Sequence, residues 1–155
     1  YGKSKLRAEL AVENLEKDTG NSSYIYRLPG VFGKWCKPNY NSVVATFCHN
    51  ISHDLPVQIN DPAFELSLVY IDDVVDGIIL SMTSTSGICN IASGNGTSIG
   101  DLAKLFMQLS GKNSEIIHKS ARDGEIIYSV ANITKSQKEL GFYPKISLDV
   151  GLSTL

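Results

Sequence analysis

Short runs rich in β-branched and aromatic residues alternate with stretches of helical periodicity, and this alternation limits the fold more than any other feature. "SYIYRL" (23–28), "LPVQI" (55–59), "ELSLVYI" (65–71), "GICNIA" (87–92) and "EIIH" (115–118) read as strands, with "EIIYSV" (125–130) a further candidate. Between them apolar residues recur three and four apart, the spacing that puts one face of a helix against a core. Strands separated by helices predict an α/β fold with parallel pairing.

The first helix is expected over residues 1–18, with Ala8, Ala11, Val12 and Leu15 facing inward and Gly20 ending it. Pro29 and Gly30 are expected to stop the strand that follows, and "GKWCKPNYN" to form a loop. Val44, Phe47, Cys48 and Ile51 define a second helix, capped by Asn41 or Ser42. A third has Asp72 as its N-cap and Val75, Ile78, Ile79 and Met82 as its inner face. "SGNGTS" turns into a helix starting at Ser98, with Ile99, Leu102, Phe106 and Leu109 inward and Gly111 past its end. Asn132 caps a short helix closed by "LGFYP", and "SLDVGLSTL" starts another.

The chain of 155 residues suits one unit, with no repeat and no linker. Its net charge of -2 and scattered basic residues supply no pull toward nucleic acid or anionic lipid, and no apolar run is long enough to cross a membrane. Cys36, Cys48 and Cys89 are odd in number and lack a CxxC, which argues for a reducing compartment, expected to be the cytoplasm. His49 and His53 lie four apart on one predicted helix, but no HExxH glutamate or third ligand accompanies them, so no metal is expected. "SGNGTS" lacks a P-loop lysine and is read as a turn plus N-cap.

"YGKSK" carries the chemistry. Tyr1 and Lys5 sit one helical turn apart, so both can reach a single reacting group. A free phenol, with a pKa of about 10, is a poor base near neutrality, and a neighbouring ammonium favours its phenolate. The spacing alone is also met by two exposed positions on a first helical turn. In "GKWCKPNYN", Lys34, Trp35, Lys37 and Asn41 offer cations, an aromatic face and an amide; the segment could line a pocket or be a solvated loop with Trp35 anchored in the core.

Tyr-x-x-x-Lys, "RLPGVFG", "VYIDDVV", "NIASGNGTSIGDLA" and "RDGE" through "ANITKSQKELGFYPKISLDVGL" form an ordered series. It resembles the second half of the extended short-chain dehydrogenases/reductases, the NAD(P)-dependent nucleotide-sugar epimerases, dehydratases and 4-keto reductases. "YIYRLPGVFGKWCKPNYNSVVATF" looks closest to the capsular-polysaccharide UDP-sugar reductases of the CapF type. The resemblance implies a Rossmann-type fold: 1–33 and about 66–92 belong with the cofactor half, about 34–65 and 93–155 with a small substrate-binding region. It implies NAD or NADP as cofactor, a UDP-sugar as substrate, a homodimer, and a role in surface polysaccharide synthesis. Tyr1 and Lys5 would be catalytic and, with Pro29 and Gly30, would touch the cofactor. Lys34, Trp35, Lys37, Asn41 and Arg122 would meet the substrate, Arg122 at the diphosphate.

Two positions depart from the family pattern: Gly30 stands where Asn is common, and Leu66 where Arg is frequent. No G-x-G-x-x-G opens the chain, so the sequence is expected to be the carboxy-terminal piece of an enzyme roughly twice as long, inactive by itself.

Overall fold

The computed structural model describes residues 2–84, 87–120 and 128–155, which leaves Tyr1 and Arg122 outside the described residues. Helix α1 (Gly2–Thr19) precedes β1 (Tyr24–Arg27), β2 (Gly30–Phe32), α2 (Val43–Ser52) and β3 (Val57–Ile59). Then come β4 (Glu65–Leu66), β5 (Leu68–Tyr70), α3 (Ile71–Ser81), β6 (Gly87–Asn90) and β7 (Thr97–Ser98). The order closes with α4 (Ile99–Ser110), β8 (Ile116–His118), β9 (Tyr128–Ser129), α5 (Thr134–Leu140) and α6 (Leu148–Leu152). The expected α/β class holds.

Three strand pairs are parallel: β1 with β6, β2 with β5, and β3 with β8. Strand β4 lies between β7, to which it is antiparallel, and β9, to which it is parallel. Parallel neighbours require long crossovers, and the intervening helices provide them.

The sequence predicts a strand stopping at Pro29 and Gly30, but Gly30 begins β2 instead. Proline has no N–H to give the ladder, so pairing with β6 ends at Arg27 and resumes with a different strand, β5. Strands β2 and β5 then divide the interior. Phe32, Leu68 and Tyr70 join the larger core with Val44, Phe47, Ile51, Ile59, Leu102 and Phe106. Val69, with Val31 beside it, joins a second core of Val74, Cys89, Ile91, Leu140 and Phe142. Alternation across the pleat sends neighbouring residues to opposite cores.

Helices α2 and α4 bury the faces that their periodicity predicts, with two exceptions: Cys48 is half-buried and Leu109 exposed. Ser42, not Asn41, caps α2, its Oγ accepting from the Ala45 amide at 3.2 Å. Ser98 does the same for α4 through the Asp101 amide at 3.0 Å, and Gly111 ends that helix with φ +67°. Asn132 is not the cap expected for α5: Ile133 holds the N-cap position without a side-chain bond, and Asn132 Oδ1 accepts from the Thr134 amide at 2.9 Å from one residue further out.

Helix α3 overturns its prediction. It starts two residues early, with Tyr70 at the N-cap position making no side-chain bond, so Asp72 is not the cap. Val75, Ile78, Ile79 and Met82 are exposed, while Asp73, Val74, Gly77 and Ser81 are buried. The sequence carries apolar residues on two faces of this helix, and the smaller face wins because it packs closer. A Cβ on Gly77 would stand 3.0 Å from Ile91 Cδ1, and Ser81 Oγ is bonded to the Tyr26 hydroxyl.

Helix α1 also departs from expectation. None of its described residues is buried; Leu6, Leu10, Val12 and Leu15 are exposed, as are Ala8 and Ala11. Glu9, Glu13 and Glu16 are the partly covered residues, because polar bonds hold this helix. Arg27 grips Glu9 with two parallel bonds, Nε to Oε1 at 2.9 Å and Nη2 to Oε2 at 2.6 Å, and Ser23 donates to Glu16. The Arg27 guanidinium holds the Glu9 carboxyl below its ordinary value. A carboxylate depressed in the folded state contributes stability above its unfolded pKa and loses it as pH falls through the folded one. Amide exchange in α1 is therefore expected to accelerate on acidification below about pH 4, earlier than in α4, and Glu9→Gln to remove that difference.

Candidate active site

The two polar contacts fix how α1 lies on β1. Glu16 meets Ser23 near the start of the strand and Glu9 meets Arg27 at its end, so helix and strand run antiparallel. Lys5 is one turn beyond Glu9 on the same helical face, a further advance of roughly 6 Å. Two residues past Arg27 the strand path has advanced by a similar roughly 6–7 Å. The amino-terminal turn carrying Lys5 thus runs out toward the carboxyl end of β1, where Pro29 and Gly30 stand. Tyr1 lies outside the described residues.

Gly30 is exposed and has no Cβ. A Cβ there would meet Leu68 Cδ2 at 2.8 Å and Leu66 Cδ1 at 3.7 Å. The two departures read from the sequence, Gly30 and Leu66, are therefore neighbours, and Leu68, which sequence reasoning missed, lies closer still to Gly30. Only strand register could have found it: Gly30 pairs with Leu68 across β2 and β5.

The loop after β2 is strained. Gly33, at φ +149°, has no room for a Cβ, which would fall 2.5 Å from Ile71 Cγ2. Trp35, Asn39 and Asn41 all have positive φ, at 64°, 57° and 52°. Asparagine tolerates this conformation, but for tryptophan it costs about 1–2 kcal/mol. Trp35 is also 98% exposed, which corrects the alternative of a core anchor. The loop is tied to α2 at both flanks: the Cys36 thiol donates to Ser42 Oγ at 3.2 Å, and the Asn39 amide to Thr46 Oγ1 at 2.9 Å.

Lys34, Lys37 and Asn41 are exposed with Trp35. Lys34 and Trp35 border a cavity of about 420 Å³ that Cys48 and His49 also line; Arg122 lies outside the described residues. Burial pushes the Cys48 thiol up, away from the thiolate that a nucleophile needs. The His49 and His53 rings lie tilted at 35° with centroids 4.3 Å apart, and His53 Nδ1 is bonded to the His49 carbonyl at 2.8 Å. Among the described residues no three His, Cys, Asp or Glu side chains group as a metal site.

Other polar groups near the strands are structural. Burial, followed by the contact with Cys89, pushes the Tyr24 phenol upward, so it is no base near neutrality. Ser67, fully buried, donates to the Asn95 carbonyl and accepts from the Ala131 amide, each at 3.1 Å. Asp73 is buried and accepts from the Lys145 and Ile146 amides at 2.8 and 3.1 Å. Partners 72 and 73 residues away left no local signal in the sequence.

Residues 1–92 match the profile of the NAD dependent epimerase/dehydratase family. The chain is 61% identical over 75 residues to the UDP-2-acetamido-2,6-beta-L-arabino-hexul-4-ose reductase of Pseudomonas aeruginosa, covering 48% of this chain and 20% of that protein. Among solved structures it is similar to the UDP-glucose 4-epimerase of Thermotoga maritima with UDP-glucose, at 31% identity and a TM-score of 0.94 over 99% of this chain and 51% of that one. It is likewise similar to the UDP-glucose 4-epimerase of Thermus thermophilus in complex with NAD, at 25% identity and a TM-score of 0.92, again over 99% and 51%. The chain thus spans a fifth of the reductase and about half of each epimerase.

Proposed function

The chain belongs to the NAD dependent epimerase/dehydratase family, and from that premise we propose that it supplies the substrate side and the proton-transfer pair of an enzyme acting on a UDP-sugar. The observation that carries this reading is the antiparallel docking of α1 on β1, which directs the Lys5 turn toward Pro29 and Gly30. Pro29 and Gly30 would meet the nicotinamide end of NAD or NADP through their backbone, Gly30 standing exposed where β1 gives way to β2. When bound, the cofactor accepts or returns a hydride at a ring carbon of the sugar. Tyr1 takes the proton of the sugar hydroxyl as it is oxidised, or returns it in the reverse direction. The Lys5 ammonium favours the phenolate and donates to a ribose hydroxyl.

In this reading 1–33 and about 66–92 serve the cofactor part, and about 34–65 and 93–155 the substrate side. Lys34, Lys37 and Arg122 offer cations to the diphosphate, Trp35 a stacking face and Asn41 an amide. Strain and full exposure at Trp35 support this, because neither is needed to hold the fold. The likeness to a UDP-acetamido-hexulose reductase supports a keto sugar made for surface polysaccharide, and the three free thiols support the cytoplasm. With the protein as its gene encodes it, NADPH is expected to be consumed in step with a UDP-4-keto sugar. Redox-neutral turnover would assign an epimerase or dehydratase instead, and no turnover a non-catalytic binding module.

The exposed Leu6, Leu10, Val12 and Leu15 support a homodimer formed through α1. Sedimentation is expected to give a dimer at micromolar concentration and a monomer for Leu10→Glu; an unaltered dimer would remove α1 from the interface.

A further inference from the structure

No described residue of α1 is buried, so apolar packing does not fix the line this helix takes across β1. Its two contacts with that strand, Glu16 with Ser23 and Glu9 with Arg27, lie roughly 10 Å apart along the helix. Arg27 is rooted in the ladder. It pairs with Asn90, and its carbonyl accepts from the Ile91 amide at 3.2 Å. Its guanidinium meets Glu9 with both arms of the fork, which fixes direction as well as distance. Glu9 is one turn from Lys5, and Arg27 two residues from Pro29, so this one rung joins the two segments. With the rung cut, α1 pivots about the contact of Glu16 with Ser23, and Lys5 stands roughly 16 Å from that pivot. A tilt of about 5° then carries the Lys5 turn more than about 1 Å.

We infer that Glu9 and Arg27 are positioning residues, whose ion pair sets the distance of the Lys5 ammonium from the end of β1. The inference rests on the UDP-sugar reading above, in which Tyr1 and Lys5 move the proton, and adds two residues that act through Lys5. Misplacing a reacting group by about 1 Å costs on the order of 10²-fold in rate. An ion pair whose arginine is 56% exposed contributes little to folding. Rate and stability therefore separate if the pair positions Lys5, and fall together if it only holds the fold. Charge gives a second distinction. A Glu9 that acted only as a nearby negative charge would, once removed, lower the pH at which Tyr1 ionises. Lost positioning takes the ammonium away from the phenol and raises that pH. Glu13, whose charge also bears on Arg27, stays in place in every variant.

The test uses the protein as its gene encodes it, with NADPH and a UDP-4-keto sugar. Glu9→Gln and Arg27→Gln are each expected to lower kcat about 10- to 100-fold, with KM for the sugar within about twofold of the parent. Their melting temperatures should stay within about 4 °C of the parent. The pH profile of kcat should show Tyr1 ionising at higher pH in both. The double exchange, Glu9→Arg with Arg27→Glu, rebuilds the pair and should return kcat to within about threefold. Ser23→Ala cuts the contact far from Lys5 and should leave kcat within about twofold. The positioning role is overturned by parental kcat in both single variants, or by a fall in rate that tracks the melting temperature. It is equally overturned if Tyr1 ionises at lower pH in Glu9→Gln, if Ser23→Ala matches the loss, or if the exchange does not recover. Each of these leaves the UDP-sugar reading intact. Full turnover in both Tyr1→Phe and Lys5→Met overturns the reading itself, and the inference with it.

Discussion

Tyr1→Phe, in the protein as its gene encodes it, is expected to lower kcat by about 10²- to 10⁴-fold, the range for losing a positioned acid–base group. Lys5→Met should lower it by about 10²-fold, because the phenol stays in place but loses the cation that favours its charged form. The pH profile separates the two roles. Without the ammonium, the basic limb of the rate profile moves to higher pH, whereas loss of the phenol removes the dependence. Lys5 is exposed, so its replacement should alter stability by no more than about 0.5 kcal/mol. The fall in rate is then chemical and not a consequence of unfolding. Full turnover in Tyr1→Phe would turn the assignment toward a binding module that kept the fold and lost catalysis.

Asp73→Ala is expected to produce the largest loss of stability, about 3–5 kcal/mol. The carboxylate is 2% exposed and accepts from two consecutive backbone amides, those of Lys145 and Ile146. Removing it leaves both amide donors without their acceptor at a partly buried position. At roughly 2–4 °C per kcal/mol for a chain of this size, the melting temperature should fall by about 10 °C or more. Asp73→Asn keeps the volume and one acceptor but turns an NH₂ toward the second amide, so an intermediate loss is expected. Calorimetry of the three proteins reads the order; equal melting temperatures would mean that the 145–146 turn is held by other contacts. The Lys145 ammonium, bonded to Asp76 at 2.7 Å, lies at the surface and is too exposed to compensate.

The legible parts of the chain were those governed by local rules. Ser42 and Ser98 act as caps because a side-chain oxygen one step before a helix meets the amide three residues on. The inner faces of α2 and α4 followed from spacing because each helix meets one core. Helices α1 and α3 did not follow. Periodicity records which residues are apolar, and a helix with apolar residues on more than one side does not say which side is covered. For α3 the choice fell to Gly77 and Ser81, which let the helix approach Ile91 and Tyr26. For α1 it fell to Arg27 and Glu9, eighteen residues apart.

The candidate site divides in the same way. Tyr1 and Lys5 were proposed from a four-residue spacing read together with the ordered motifs of a family, and Gly30 and Leu66 stood out as departures from those motifs. That Leu68 pairs with Gly30, that Leu66 lies nearby, and that Trp35 is almost wholly exposed emerged only from the folded chain.

By itself the sequence determined the α/β class, the order of elements and the serine-capped helices, since each depends on neighbours within a turn or a strand. Tertiary structure decided which helix faces are covered, where the strand after Arg27 finds its new partner, and which side chains share a cavity. Those outcomes depend on contacts between residues tens of positions apart, where shape and hydrogen-bond geometry, not local pattern, select the lowest free energy.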